Sequence, residues 1–195
     1  MNPSSIRKIQ AEHRSLAAVL DALSFLVNEA ADKGVPPRVG LLRLILDYIE
    51  GFPDRYHHPK EDHLLFPLVR RRSPEAAALI DELEAQHARG AELLRGLRWE
   101  LTCHEQGAHP TIHPFAVLAR EYIQFYWTHM RLEEDELLPL ARRVLMTDEW
   151  AEIDSAFAAH EDPLGGDTRA DDPHLLFERI LRLSPPPIGV GASED

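Results

Sequence analysis

Residues 56–67 read "YHHPKEDHLLFP" and residues 128–139 read "THMRLEEDELLP", the same pattern 72 positions apart. His57 falls on His129, Glu61 on Glu133, Leu65 on Leu137 and Pro67 on Pro139. Each copy is a His-x-x-x-Glu unit followed by apolar residues around a proline. Positions four apart on a helix lie on one face, so each unit presents an imidazole and a carboxylate in one direction. Imidazole with carboxylate and no thiolate is a donor set for iron, with manganese or zinc able to take its place.

Two more histidines stand where a core residue is expected. Ile6, Ile9, His13, Leu16, Leu20, Leu23 and Val27 step by threes and fours, and Ile80, Leu83, His87, Gly90, Leu94, Leu97 and Leu101 repeat that spacing. Such a stripe faces a core. The first helix is predicted to start at the Ser4/Ser5 caps and to end near Gly34. A second starts around Pro36 and Pro37 and runs through Leu41, Leu44, Ile45, Tyr48 and Ile49, with a kink between residues 51 and 59 from Gly51, Pro53 and Pro59. Ser73 as N-cap and Pro74 open the third helix, and residues 102–114 read as a loop. The fourth runs from about Pro114 to Leu145, with Leu118, Tyr122, Tyr126, His129, Glu133, Leu137, Leu140 and Val144 as its inner stripe. Helices over 147–162 and 172–183 and an extended, mobile tail from Ser184 complete the chain. The expected fold is all-α: an antiparallel four-helix bundle over residues 1–146, built from a duplicated helix pair, with a C-terminal helical extension over 147–195 packed on it.

Four imidazoles and two carboxylates aimed into such a core need compensation, because an unpaired buried carboxylate costs several kcal/mol and two close together resist joint ionisation. Two divalent ions bridged by Glu61 and Glu133 would satisfy His13, His57, His87 and His129 at once. For one isolated histidine, a core residue bonded to backbone is the better reading; for six residues in a duplicated pattern, metal is. His58 is a further ligand or an outer hydrogen-bonding group, and its alignment with Met130 favours the outer role. Tyr126, and Tyr122 one turn before it, are placed to offer a phenol to the site, with plain core packing as the alternative. His104, His109 and His113 belong to a solvated loop, His63 to the surface, and His160 to the end of the fifth helix. Cys103 reads as an inert thiol.

A net charge of −12 and one basic run at residues 70–72 argue against nucleic acid. No secretory signal or membrane span is visible, so a cytoplasmic protein without a membrane partner is expected. The lone cysteine excludes an intrachain disulfide and suits a reducing compartment.

The phrases "YHHPKEDHLLFP", "AEHRSL", "AQHARG" and "HMRLEEDELLPL" resemble the hemerythrin-like HHE cation-binding family over roughly residues 6–145. The resemblance implies a non-haem di-iron centre with Glu61 and Glu133 as bridges and His13, His57, His87 and His129 as terminal ligands. It also implies a small diatomic molecule or peroxide as ligand. Oxygen-carrying hemerythrins have a second histidine one turn from the third-helix ligand, but here the neighbours are Leu83 and Ala91, so their five-histidine set is not evident. The expected role is binding or sensing of oxygen, peroxide or iron. The alternatives are an enzyme that reduces oxygen or peroxide or delivers iron to damaged centres, and an interaction module with a purely structural metal. A homodimer is compatible with the C-terminal region.

Overall fold

The computed structural model describes residues 3–158 and 173–191, and over them the chain is helical with no strand. Helix α1 (Ser4–Asp32) buries Ile6, Ile9, His13, Leu16, Leu20, Leu23 and Val27, so the whole predicted stripe faces inward. Its N-terminus is not capped by its own serines. The backbone N–H groups of Ser4 and Ser5, with the Ser5 hydroxyl, donate to the Asp154 carboxylate at 3.2, 2.7 and 2.6 Å. A distant carboxylate thus meets the positive end of the helix dipole.

Helix α2 (Val39–Gly51) begins after both prolines rather than on them. The predicted kink is a succession of tight and wide turns: a π turn at Pro53–His57, one α turn α3 (His58–Lys60), a second π turn at Glu61–Leu65, then α4 (Phe66–Arg72). Ser73 makes no side-chain cap and leads into a 3₁₀ turn, Pro74–Ala76. Helix α5 (Ala77–Glu105) then continues past the expected boundary, which puts His104 in its last turn.

Helix α6 (His113–Leu132) passes through a third π turn, Glu133–Leu137, into α7 (Leu138–Val144). That turn corrects the predicted fourth stripe. The buried residues beyond it are Leu137, Leu138, Ala141 and Leu145, whereas Leu140 and Val144 are only half-buried. A π turn closes i→i+5 bonds, and its extra residue rotates everything downstream.

Helix α8 (Thr147–Ala158) packs on α1, and α9 (Pro173–Leu183) packs on α2. The rest of the predicted fifth helix, with His160, lies outside the described residues. Residues 184–191 are not extended as expected: Val190 and Gly191 donate back to the carbonyls of Leu181 and Ser184, folding this stretch onto the end of α9. No helix among the described residues is long and apolar enough to cross a membrane.

The apolar core falls into two clusters. One gathers the C-terminal half of α1 with α2, α9, the second half of α5 and most of α6. The other gathers the start of α1 with α4, α7, α8 and the first half of α5. Between them lies a layer of buried polar side chains.

Candidate metal centre

The polar layer is made of His13, His57, His58, Glu61, His87, His129 and Glu133, all buried. Helix α1 supplies His13, the first π turn His57, α3 His58 and α5 His87. His129 sits in the last turn of α6, and Glu61 and Glu133 each open a π turn. The local folding follows from the sequence. Each stripe carries its histidine among apolar residues, and burying the stripe drags the imidazole inside.

The two predicted units keep their geometry. His57 Nε2 lies 3.3 Å from Glu61 Oε1, and His129 Nε2 lies 3.6 Å from Glu133 Oε2. His13 Nε2 approaches Glu133 Oε2 at 3.1 Å, and His87 Nε2 approaches Glu61 Oε2 at 3.6 Å. The ligand atoms of His13, His57, Glu61 and Glu133 lie within 4.8 Å of one another, and so do those of His58, His87 and His129. His58 therefore does not follow its alignment with Met130. Its ring stacks on His87 at 4.1 Å between centroids, inside the polar layer. Consecutive residues on a helix face different directions, and here His57 joins one donor group while His58 joins the other.

Four of the histidines are oriented from outside by a ring of contacts that sequence reasoning missed. His57 Nδ1–H donates to Glu12 Oε2 at 2.7 Å, and His87 Nδ1–H to Asp62 Oδ1 at 2.7 Å. His129 Nδ1–H donates to Gln86 Oε1 at 2.9 Å, and His13 Nδ1–H to Glu134 Oε1 at 2.8 Å. Each acceptor is the chain neighbour of a site residue on one element and serves a histidine on another. Its adjacency in sequence to His13, Glu61, His87 or Glu133 was the available signal. A hydrogen bond at Nδ1 fixes the ring and directs Nε2 inward.

The inner ends of these side chains meet one another but make no hydrogen bond among the described residues. Nε2 of His13, His57, His87 and His129, together with both oxygens of Glu61 and of Glu133, are buried without a hydrogen bond. Buried polar groups are ordinarily satisfied. A set of orphaned imidazole nitrogens and carboxylate oxygens converging on one layer fits divalent cations, which would satisfy them together.

The family model of the hemerythrin HHE cation-binding domain matches residues 4–141. The chain belongs to this family. No curated protein and no solved structure gives a significant match to it. Hemerythrin-like domains bind metal cations, and among the described residues of this one the histidine and glutamate groups that could hold a metal are the two described above.

The electrostatics of this hemerythrin domain show the cost of the layer without its cation. Burial and the nearby charge of Glu133 push the Glu61 carboxyl well up. Burial opposes a charge on His13, but Glu133 and Glu134 on either side overcome it and raise its pKa to about 9. Burial lowers His57, His58 and His129, the last to about 4. The metal-free site thus holds protons where a cation would sit.

Tyr126 and Tyr122 are buried beside the layer. The Tyr126 ring lies 6.0 Å from His58 and 5.7 Å from His129, and neither phenol has a hydrogen-bond partner among the described residues. Gly90 makes room for it: a Cβ there would lie 2.2 Å from the Tyr126 hydroxyl. Of the remaining candidates, His63 is exposed, and His104 and His113 belong to helices rather than to one shared loop. His109 Nε2 lies 3.1 Å from Glu100, remote in sequence from every site residue. Cys103 is half-buried and free.

Proposed function

We propose that the chain holds two iron ions between its two donor groups, bridged by Glu61 and Glu133, and binds or senses dioxygen or peroxide there. Manganese or zinc suits the same atoms. His58, His87 and His129 would serve one position, and His13 and His57 the other. With His58 included, the donors would be five histidines and two carboxylates, the fifth histidine coming from α3 and not from a neighbour of His87 on α5. The observation that carries the reading is the layer of orphaned Nε2 and carboxylate oxygens.

An iron pair bound there supplies redox chemistry towards dioxygen or peroxide; the chain's residues supply the rest. Glu12, Asp62, Gln86 and Glu134 hold the imidazoles in their metal-binding tautomer. The Tyr126 phenol, kept protonated by burial, offers a hydrogen bond to a small anionic ligand in the layer. The apolar clusters on both sides exclude bulk water.

The test is metal content and an optical spectrum of protein made in iron-rich medium, reduced without air and then exposed to oxygen. Two irons per chain and near-ultraviolet bands on oxidation are expected. Reversal on degassing would mark binding or sensing, and irreversible oxidation would mark reduction chemistry. Glu133→Ala should lose most of the metal and His109→Ala none. One spectroscopically silent ion per chain, or full iron content in Glu133→Ala, would refute the proposal.

A further inference from the structure

Beside the metal centre, α2, α5 and α9 enclose a cleft of about 990 Å³. Five arginines line it: Arg43 from α2, Arg55 from the first π turn, Arg95 and Arg98 from α5, and Arg179 from α9. Three carboxylates share the cleft, Asp47, Glu50 and Asp54. Cations therefore outnumber anions here, on a chain whose net charge is −12.

Much of the ordinary pairing is already used. Arg43 is bonded to Glu105, and Arg98 reaches Asp47 at 2.9 Å and Glu50 at 2.6 Å. Arg55 lies over the Tyr56 ring at 5.4 Å. Arg55, Arg95 and Arg179 make no ion pair among the described residues. Three guanidinium groups from three separate elements, none in an ion pair among the described residues, line one concavity, with Arg95 acting on Asp54 only through its field. Like charges brought together this way repel unless an anion joins them. A concave wall of low dielectric focuses their field, and the guanidinium fork matches the oxygens of a phosphate or carboxylate. The volume lies at the upper end of the range for small-molecule sites.

We propose that this cleft binds a small molecule bearing at least two anionic groups, phosphate or carboxylate, held by Arg55, Arg95 and Arg179. Repulsion from Asp47, Glu50 and Asp54 disfavours a single charge, so a ligand must span more than one arginine to gain. The proposal does not depend on the metal's identity. The cleft still borders the centre, because Asp54 lies 3.3 Å from His58 Nδ1.

The experiment is calorimetric titration of the metal-loaded protein with inorganic pyrophosphate and, separately, with succinate, with metal content measured afterwards. Saturable binding at one site per chain is expected. Arg95→Glu and Arg179→Glu should each weaken it about tenfold or more. Arg142→Glu, the same charge change on the exposed face of α7, should leave it unaltered, and melting curves should show all three variants folded. A response to pyrophosphate alone assigns phosphate, and a response to succinate alone assigns carboxylate. Saturation by neither probe, or equal weakening in Arg142→Glu, would overturn the proposal. So would heat that accompanies metal loss and persists in both cleft variants, since that is chelation.

Discussion

Gly90 shows how closely the centre is built around single atoms. It occupies a core position of the α5 stripe where a side chain would be expected, and the space is taken by the Tyr126 hydroxyl. Gly90→Ala would set its Cβ 2.2 Å from that oxygen and 2.8 Å from the ring carbon bearing it. The phenol must then turn away from His58 and His129. Overpacking of this kind costs about 1–3 kcal/mol, so a lower melting temperature and a changed spectrum of the iron-loaded protein are expected. Adding Tyr126→Phe should recover part of the stability, and a single variant with wild-type melting and spectrum would show that the contact is slack. The six duplicated residues were legible at this scale because their types, spacing and stripe positions agreed. The sequence left His58 between two roles, because aligning the two halves puts it on Met130, which is buried among apolar residues. Sequence alignment of halves carries no information about which way two adjacent side chains point.

At the scale of elements, the helices and their inward faces were legible from periodicity, and the three π turns were not. Slipping a hydrogen bond by one residue leaves no mark on composition. Its trace is indirect, in neighbours such as Leu137 and Leu138 that are both buried. π turns inside α-helices recur at functional sites, and here they begin at Glu61 and Glu133 and end at His57. The capping of α1 was also unreadable, since Asp154 lies about 150 residues from the serines it serves. That contact makes α8 a structural partner of the bundle. Asp154→Ala removes the acceptor of three hydrogen bonds and should cost about 1 kcal/mol, in the range of lost helix caps. Thermal melting of the metal-free and metal-loaded protein measures it, and an unchanged midpoint in both would mean that water replaces the carboxylate without loss.

Across the whole molecule, two apolar clusters are separated by a layer that is costly without a cation, which ties stability to pH. His13 has its folded pKa raised from 6.5 to about 9, so its contribution is complete below about pH 6.5 and is lost as pH rises through 9. Glu61, raised by burial, acts in the same sense. The lowered histidines shed their last unfolded-state protons just above 6.5 and offset part of this loss only at the lower edge of the window. The metal-free protein should therefore lose about 2 kcal/mol over that window. A bound cation replaces those protons, so the gap in melting temperature between loaded and metal-free protein should widen from about pH 6.5 to 9. A constant gap would mean that His13 is not protonated in the folded, metal-free state. The ring of outer contacts has a consequence of another kind, in time. Its last link, Glu134 to His13, joins residues 121 apart. A chain emerging from the ribosome up to His87 can offer only His13, His57, His58, Glu61 and His87, with a ring still open at both ends. A complete cage exists only once the final bundle segment has been synthesised and has docked on the first, so the full donor set is on offer to a metal only after translation of the bundle.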